Sequence, residues 1–233
     1  MNIDRVVITT ADPEASGCYY QDTLCLPVAH GTDGVEVSIG RSVLVLRPGL
    51  TAMRERGHHL AFSVAPERFD AVRAWLAART SLLMKDGKTV LTGPLGWHSR
   101  SLYFRGPDHA VLELIAHDER ATGDPWGGGP GSPDDILDIV EVALAVSDVP
   151  HARQAIMDAV GVSPFIPVTD VFSPVGDRRG MFILTEEDRI LLPTESTRGL
   201  RAPVKVWVRG PRDAVVVPAP DVCVVATHRG HTG

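Results

Sequence analysis

The sequence is poor in cysteine: Cys18, Cys25 and Cys223 are the only three in 233 residues, at wide, unpatterned spacing and with no CxxC pair. This argues against a disulfide framework or a thiolate zinc site. The three are expected to pack as small buried hydrophobes. No apolar run approaches the roughly 20 residues that span a bilayer, so no membrane partner is expected. Excess positive charge is also lacking. A formal net charge of −6 leaves no electrostatic footprint for nucleic acid. No GK[ST] follows the glycine-rich stretch, so no nucleotide cofactor is expected. The start of the chain shows no basic segment followed by an apolar one, and the cytoplasm is the expected location. A G-x-S-x-G elbow and a Ser/His/Asp pattern are missing as well.

What is present is an ordinary globular composition, 44% hydrophobic and 22% charged, at a length that suits one or two domains. Thr122 to Pro133 is dominated by glycine, proline and serine and keeps no apolar period, which reads as a linker. It divides the chain into residues 1–118, a linker over 119–134, a second domain over 135–228 and a disordered tail, 229–233.

A repeat runs through the chain. Arg5 to Thr10 and His58 to Val64 are β-rich. Each is followed by a proline suited to a first helical turn, Pro13 and Pro66, and then by a helix over 15–23 or 68–79. In the second helix Phe69, Val72, Trp75 and Leu76 form one apolar stripe. Three short strands are expected after each helix, near 26–31, 34–39 and 42–47, then near 82–85, 99–105 and 110–116. Each unit reads as βαβββ. Glu141 to Asp148 mirrors Arg5 to Asp12, with a helix over 149–160 and strands near 180–185 and 189–193. Val204 to Val208 opens a fourth unit that lacks its helix, because Gly210-Pro211-Arg212-Asp213 turns directly into Ala214 to Val217.

Two strands carry the chemistry. Side chains on a strand alternate faces, so His59, Ala61 and Ser63 share one face. Glu113 shares a face with Val111 and Ile115. If both strands curl round one cavity, an imidazole and a carboxylate converge there, two thirds of a His/His/Glu metal site.

These segments resemble the vicinal oxygen chelate superfamily, which includes glyoxalases, bleomycin-resistance proteins, epimerases and extradiol dioxygenases. The resemblance rests on His59-Leu60-Ala61-Phe62, on Ser101 to His109 with Val111 to Ile115, and on Asp12 to Ala15 with Tyr19 to Leu24. It spans residues 3–117 and is weaker from 136 to about 228. It implies an α+β fold in which pairs of βαβββ units form curled mixed sheets that enclose a cavity. It also implies metal ligands at Arg5, His59 and Glu113, but arginine has no lone pair to give.

His59 and Glu113 are therefore the expected catalytic residues and metal ligands. His98, on a loop entering a strand, is the candidate third ligand. The cofactor expected is one divalent ion, Fe, Mn, Zn, Ni or Co. Arg5 is placed to pair with Glu113 or to clamp an anionic group. Thr9 and Ser63 would offer hydroxyls to the ligand, and Trp97 a wall. Glu141, a carboxylate on an apolar strand, is expected to form a structural ion pair with Arg189 or Lys205, since burying it alone is costly. The expected function is a small-molecule isomerase, lyase or dioxygenase. The alternative is metal-free sequestration of an antibiotic or metabolite, as in bleomycin resistance. A homodimer remains open, because this fold builds cavities within one chain or between swapped chains.

Overall fold

The computed structural model describes residues 1–49, 55–118 and 131–228. The expected linker lies mostly, and the expected tail wholly, outside them. The first unit comprises β1 (Asn2–Thr10), α1 (Pro13–Leu24), β2 (Val28–Gly31), β3 (Gly34–Ile39) and β4 (Ser42–Pro48). After a short β5 (Arg56–Gly57), the second contains β6 (His59–Val64), α2 (Phe69–Ala77), β7 (Val90–Thr92), β8 (Ser99–Arg105) and β9 (Val111–His117). The third has β10 (Ile136–Val146), α3 (Val149–Val160), β11 (Phe172–Asp177) and β12 (Gly180–Glu186). A short β13 (Arg198–Gly199) leads to the fourth, β14 (Val204–Arg209), β15 (Ala214–Ala219) and β16 (Val222–Thr227), which has no helix.

The repeated aspartates are helix caps. Asp12 accepts from the Ala15 N–H at 3.0 Å and Asp148 from that of His151 at 2.9 Å, each satisfying one donor that a helix start leaves free. Helix α1 ends at Cys25 in the left-handed conformation, φ +53°, the geometry usual for a residue closing a helix. Contrary to expectation, Cys18 and Cys25 are exposed and Cys223 is half-buried, because they occupy a helix surface, a helix cap and the solvent side of a strand. Helix α2 buries Phe69, Val72, Trp75 and Leu76 as its stripe predicts.

Two strand expectations fail. Residues 189–193 form no strand. The edge position is taken by β11, which carries Pro174, a residue tolerated at a sheet edge because it has no N–H to donate. Near 82–85 there are only isolated bridges, from Leu82 to Phe104 and from Lys85 to Lys88, and β7 supplies the strand instead.

Fourteen strands form two seven-stranded curled sheets, ordered β15-β16-β14-β1-β4-β3-β2 and β11-β12-β10-β6-β9-β8-β7, and β5 pairs with β13 in a separate two-stranded sheet. Units one and four share the first sheet, and units two and three share the second. The antiparallel β1–β14 and β6–β10 seams join them. Each sheet thus draws strands from before residue 119 and from after residue 130, and the cavity-bearing sheet is not confined to residues 1–118. One core lies between the sheets and helices. Leu60, Phe62, Leu112 and Leu114 point into it from the second sheet, Val6, Ile8, Leu44 and Leu46 from the first. Burying a side chain such as Phe62 stabilises the fold by about 1.5–3 kcal/mol.

The β3–β4 turn locks the sheets together. The Arg41 N–H donates to the Leu137 carbonyl at 2.8 Å. The Ser42 hydroxyl donates to the Ile3 carbonyl at 2.6 Å and accepts from the Ile139 N–H at 3.0 Å. Gly40 makes this approach feasible: its φ is +53°, and a Cβ there would lie 2.0 Å from the Leu137 oxygen.

Candidate metal centre

The concave face of the second sheet lines a cavity of about 340 Å³. Its lining follows the two-residue period: His59 on β6, Ser99, Ser101 and Tyr103 on β8, Glu113 and Ile115 on β9. Glu141 and Ala143 come from β10, Ile183 and Thr185 from β12. A β-bulge shifts the β10 register between Ile139 and Glu141. Ile139 and Val142 remain in the large core, while Val140 packs with Ala61, Trp97 and Ile183 on the cavity side. Bulges of this kind re-aim side chains beside active sites, and here the re-aimed carboxylate is Glu141.

At the base of the cavity His59 Nε2 is 3.4 Å from Glu113 Oε2 and 3.9 Å from Glu141 Oε2. One ligand atom from each of the three lies within 4.8 Å of the others. The side chains are 11%, 3% and 3% exposed. His59 Nδ1 lies 2.9 Å from the Val111 carbonyl. A carbonyl only accepts, so Nδ1 carries a proton, and in the neutral ring Nε2 presents its lone pair to the carboxylates. Three acceptors then face one another, an arrangement that calls for a proton or a cation between them.

Glu141 shows the strain of that arrangement. Its Oε1 is buried without a hydrogen-bond partner. Burial, and then the neighbouring Glu113 charge, hold its carboxyl well above the usual carboxylate range. Tyr103 stacks on His59, ring centroids 6.3 Å apart, and its hydroxyl bonds to Glu113. Burial, followed by the Glu113 and Glu141 charges, drives the phenol far above its ordinary value, so it stays a donor to Glu113.

The donor set fits a divalent ion. One imidazole nitrogen and two carboxylate oxygens suit Fe, Mn, Zn, Ni or Co. Two carboxylates cancel the charge of such an ion, which lowers the cost of burying it.

The expected site residues divide. His59, Glu113 and Trp97 line the cavity. Arg5 and Thr9 lie on β1 in the other sheet, where Arg5 pairs with Glu36 at 2.7 Å rather than with Glu113. Ser63 is buried below the cavity and donates to Asp138. His98 is exposed and outside the His/Glu/Glu group. The third member of that group is Glu141, not Arg5 or His98, because β6 takes β10 as its seam partner. Glu141 forms no ion pair with Arg189 or Lys205. Lys205 sits 4.5 Å over the Trp207 ring in the first sheet, and Arg189 4.7 Å over the Phe172 ring at the cavity wall. Tyr103 and Phe172 were not anticipated, and Arg189 was expected as an ion-pair partner and not in the cavity lining; for Tyr103 the signal was available in its parity with Ser101 across from Glu113. A second hollow of about 630 Å³ beside α2 is an open groove with Arg73 and Arg79 in its lining and none of the His/Glu/Glu group. Among the described residues no helix is long and apolar enough to cross a membrane.

Comparison with protein-family models gives no match, and neither does comparison with curated proteins. Solved structures do match. A candidate dioxygenase from Bacillus subtilis superposes with a TM-score of 0.59 at 11% identity, over 99% of this chain and 86% of that one. Glyoxalase I from Zea mays superposes with a TM-score of 0.54 at 15% identity, over 97% of this chain and 92% of that one. Both matches run nearly the length of the chain, so the likeness is to the whole fold and not to one half of it.

Proposed function

We propose that this chain, which has the vicinal oxygen chelate fold shared with those two structures, is a metal-dependent enzyme acting on a small molecule in the second-sheet cavity. The observation that carries this reading is the convergence of His59, Glu113 and Glu141 at the base of a largely apolar pocket. The three would hold one divalent ion. When bound, that ion supplies Lewis-acid polarisation of two adjacent substrate oxygens. The reaction classes this supports are isomerisation, lysis and ring-cleaving oxygenation.

The protein's own groups would do the rest. The Val111 carbonyl fixes the His59 tautomer, so that Nε2 is the ligating nitrogen. Tyr103 orients Glu113 through its hydroxyl. Glu141 Oε1, buried without a partner, is the carboxylate oxygen placed to accept a proton from the substrate. Trp97, Ile183 and Leu191, all buried in the cavity wall, exclude water from the reacting oxygens.

Metal analysis of the purified and reconstituted protein tests this. About one equivalent of a divalent transition metal is expected in the wild type, and little in His59→Ala or Glu141→Gln. Failure of the wild type to retain any such ion after reconstitution would remove the metalloenzyme reading and leave sequestration.

A further inference from the structure

Arg189 stands apart from the other arginines near the cavity. It lines the same pocket as the His/Glu/Glu group. Its guanidinium lies 4.7 Å over the Phe172 ring. Among the described residues no carboxylate lies within salt-bridge distance of it, whereas Arg56, Arg105 and Arg201 nearby are held by Asp188, Thr197 and Glu187. Stacking on an aromatic face fixes the guanidinium plane and leaves its N–H edge free. The pocket mouth around it is apolar: Val171, Ile190 and Leu192 line it and are 40%, 41% and 51% exposed. Ser99 Oγ and Thr185 Oγ1, also in the lining, are buried without partners.

We propose that the substrate is an apolar organic carboxylate whose body lies between Trp97 and Phe172, with its carboxylate on the free edge of Arg189 and its adjacent oxygens at the His59–Glu113–Glu141 end. The metal-centre reading fixes only the last of these contacts. An unpaired planar cation in an apolar wall matches a carboxylate through two parallel N–H···O bonds. A cavity of 340 Å³ is at the small end of ligand pockets, which suits one aromatic ring with a short acidic side chain.

The test is calorimetric titration with two probes, 3,4-dihydroxycinnamate and its methyl ester, which differ only in the anionic group. Wild type, Arg189→Gln and Arg189→Lys are each titrated metal-free and loaded with Zn²⁺. The acid is expected to bind the wild type about tenfold more tightly than the ester, with or without Zn²⁺. Arg189→Gln should bring the two affinities together while leaving that for the ester unchanged, which also shows the pocket intact. Arg189→Lys should keep part of the preference. Acid binding no tighter than the ester, acid binding undetected, or a preference that survives Arg189→Gln would overturn the proposal. Failure of the metal reading is separate: Zn²⁺ would then tighten neither probe, while the acid preference would persist.

Discussion

Glu141→Gln is expected to raise the stability of the metal-free protein while abolishing its response to metal. In the native chain two buried carboxylates share one imidazole, with ligand atoms within 4.8 Å of one another. If both ionise, their repulsion at that separation is about 3.5 kcal/mol for an effective dielectric constant of about 20. If Glu141 instead keeps its proton, the cost appears as linkage. The native state holds a proton that the unfolded chain releases above the ordinary glutamate value of about 4.3. Stability contributed by this group is therefore full below that value and falls as pH climbs toward the raised native value. Glutamine keeps the shape, cannot ionise and brings a donor to Glu113. A gain of about 1–3 kcal/mol at pH 7 is expected after its imperfect hydrogen bonding is allowed for, or roughly 3–10 °C in Tm for a chain of this size. Saturating metal at a hundred times its Kd would stabilise the wild type by about 2.7 kcal/mol and the variant far less, so metal closes the gap and inverts the order wherever the variant's gain is smaller than that. Thermal melts of both proteins in chelator and in metal, at pH 5 and pH 8, make the measurement. A variant that melts below the wild type in chelator at both pH values, and still gains from metal, would refute the reasoning.

Tyr103→Phe removes the hydroxyl that bonds Glu113 and is expected to weaken metal affinity about tenfold, read by competition with a chelator. His58 is buried, with Nε2 donating to the Thr9 carbonyl at 3.2 Å, and burial pushes its pKa down to about 4. The unfolded ring protonates near 6.5, so its contribution is complete above that pH and is lost as pH falls to about 4. Roughly 3 kcal/mol of acid sensitivity should disappear from urea unfolding curves of His58→Gln. Gly40→Ala drives a Cβ to within 2.0 Å of the Leu137 oxygen at φ +53° and should cost about 3 kcal/mol or more; an unchanged denaturation midpoint would show the turn to be adaptable.

The strand parity of His59 and Glu113 was legible because a curled sheet preserves the two-residue period. The helix starts were legible because Asp12 and Asp148 cap through local bonds. Residue spacing does not reveal which unit pairs with which. Counting within the first two units leads to Arg5, whereas the second unit pairs with the third and meets Glu141. That choice belongs to strand edges distant in sequence and to a bulge that no local pattern announces. The cost of a carboxylate on an apolar strand did flag Glu141. A neighbouring cation was the cheaper resolution to infer, but Arg189 lies on the Phe172 ring and Lys205 on the Trp207 ring instead.

The pairing of outer units with each other and inner units with each other also sets an order of assembly during synthesis. The inner sheet is complete once β12 has left the ribosome. Strand β1 is made before any strand of the inner sheet, yet its seam partner β14 follows the whole of it. Until β14 follows, the first unit therefore carries an open strand edge, the feature through which nascent chains aggregate. The same interleaving means that cleavage between residues 118 and 131 would not release two free halves. Each would depart with one side of both seams, so the pieces should find each other again as complementing fragments rather than persist as separate folded bodies.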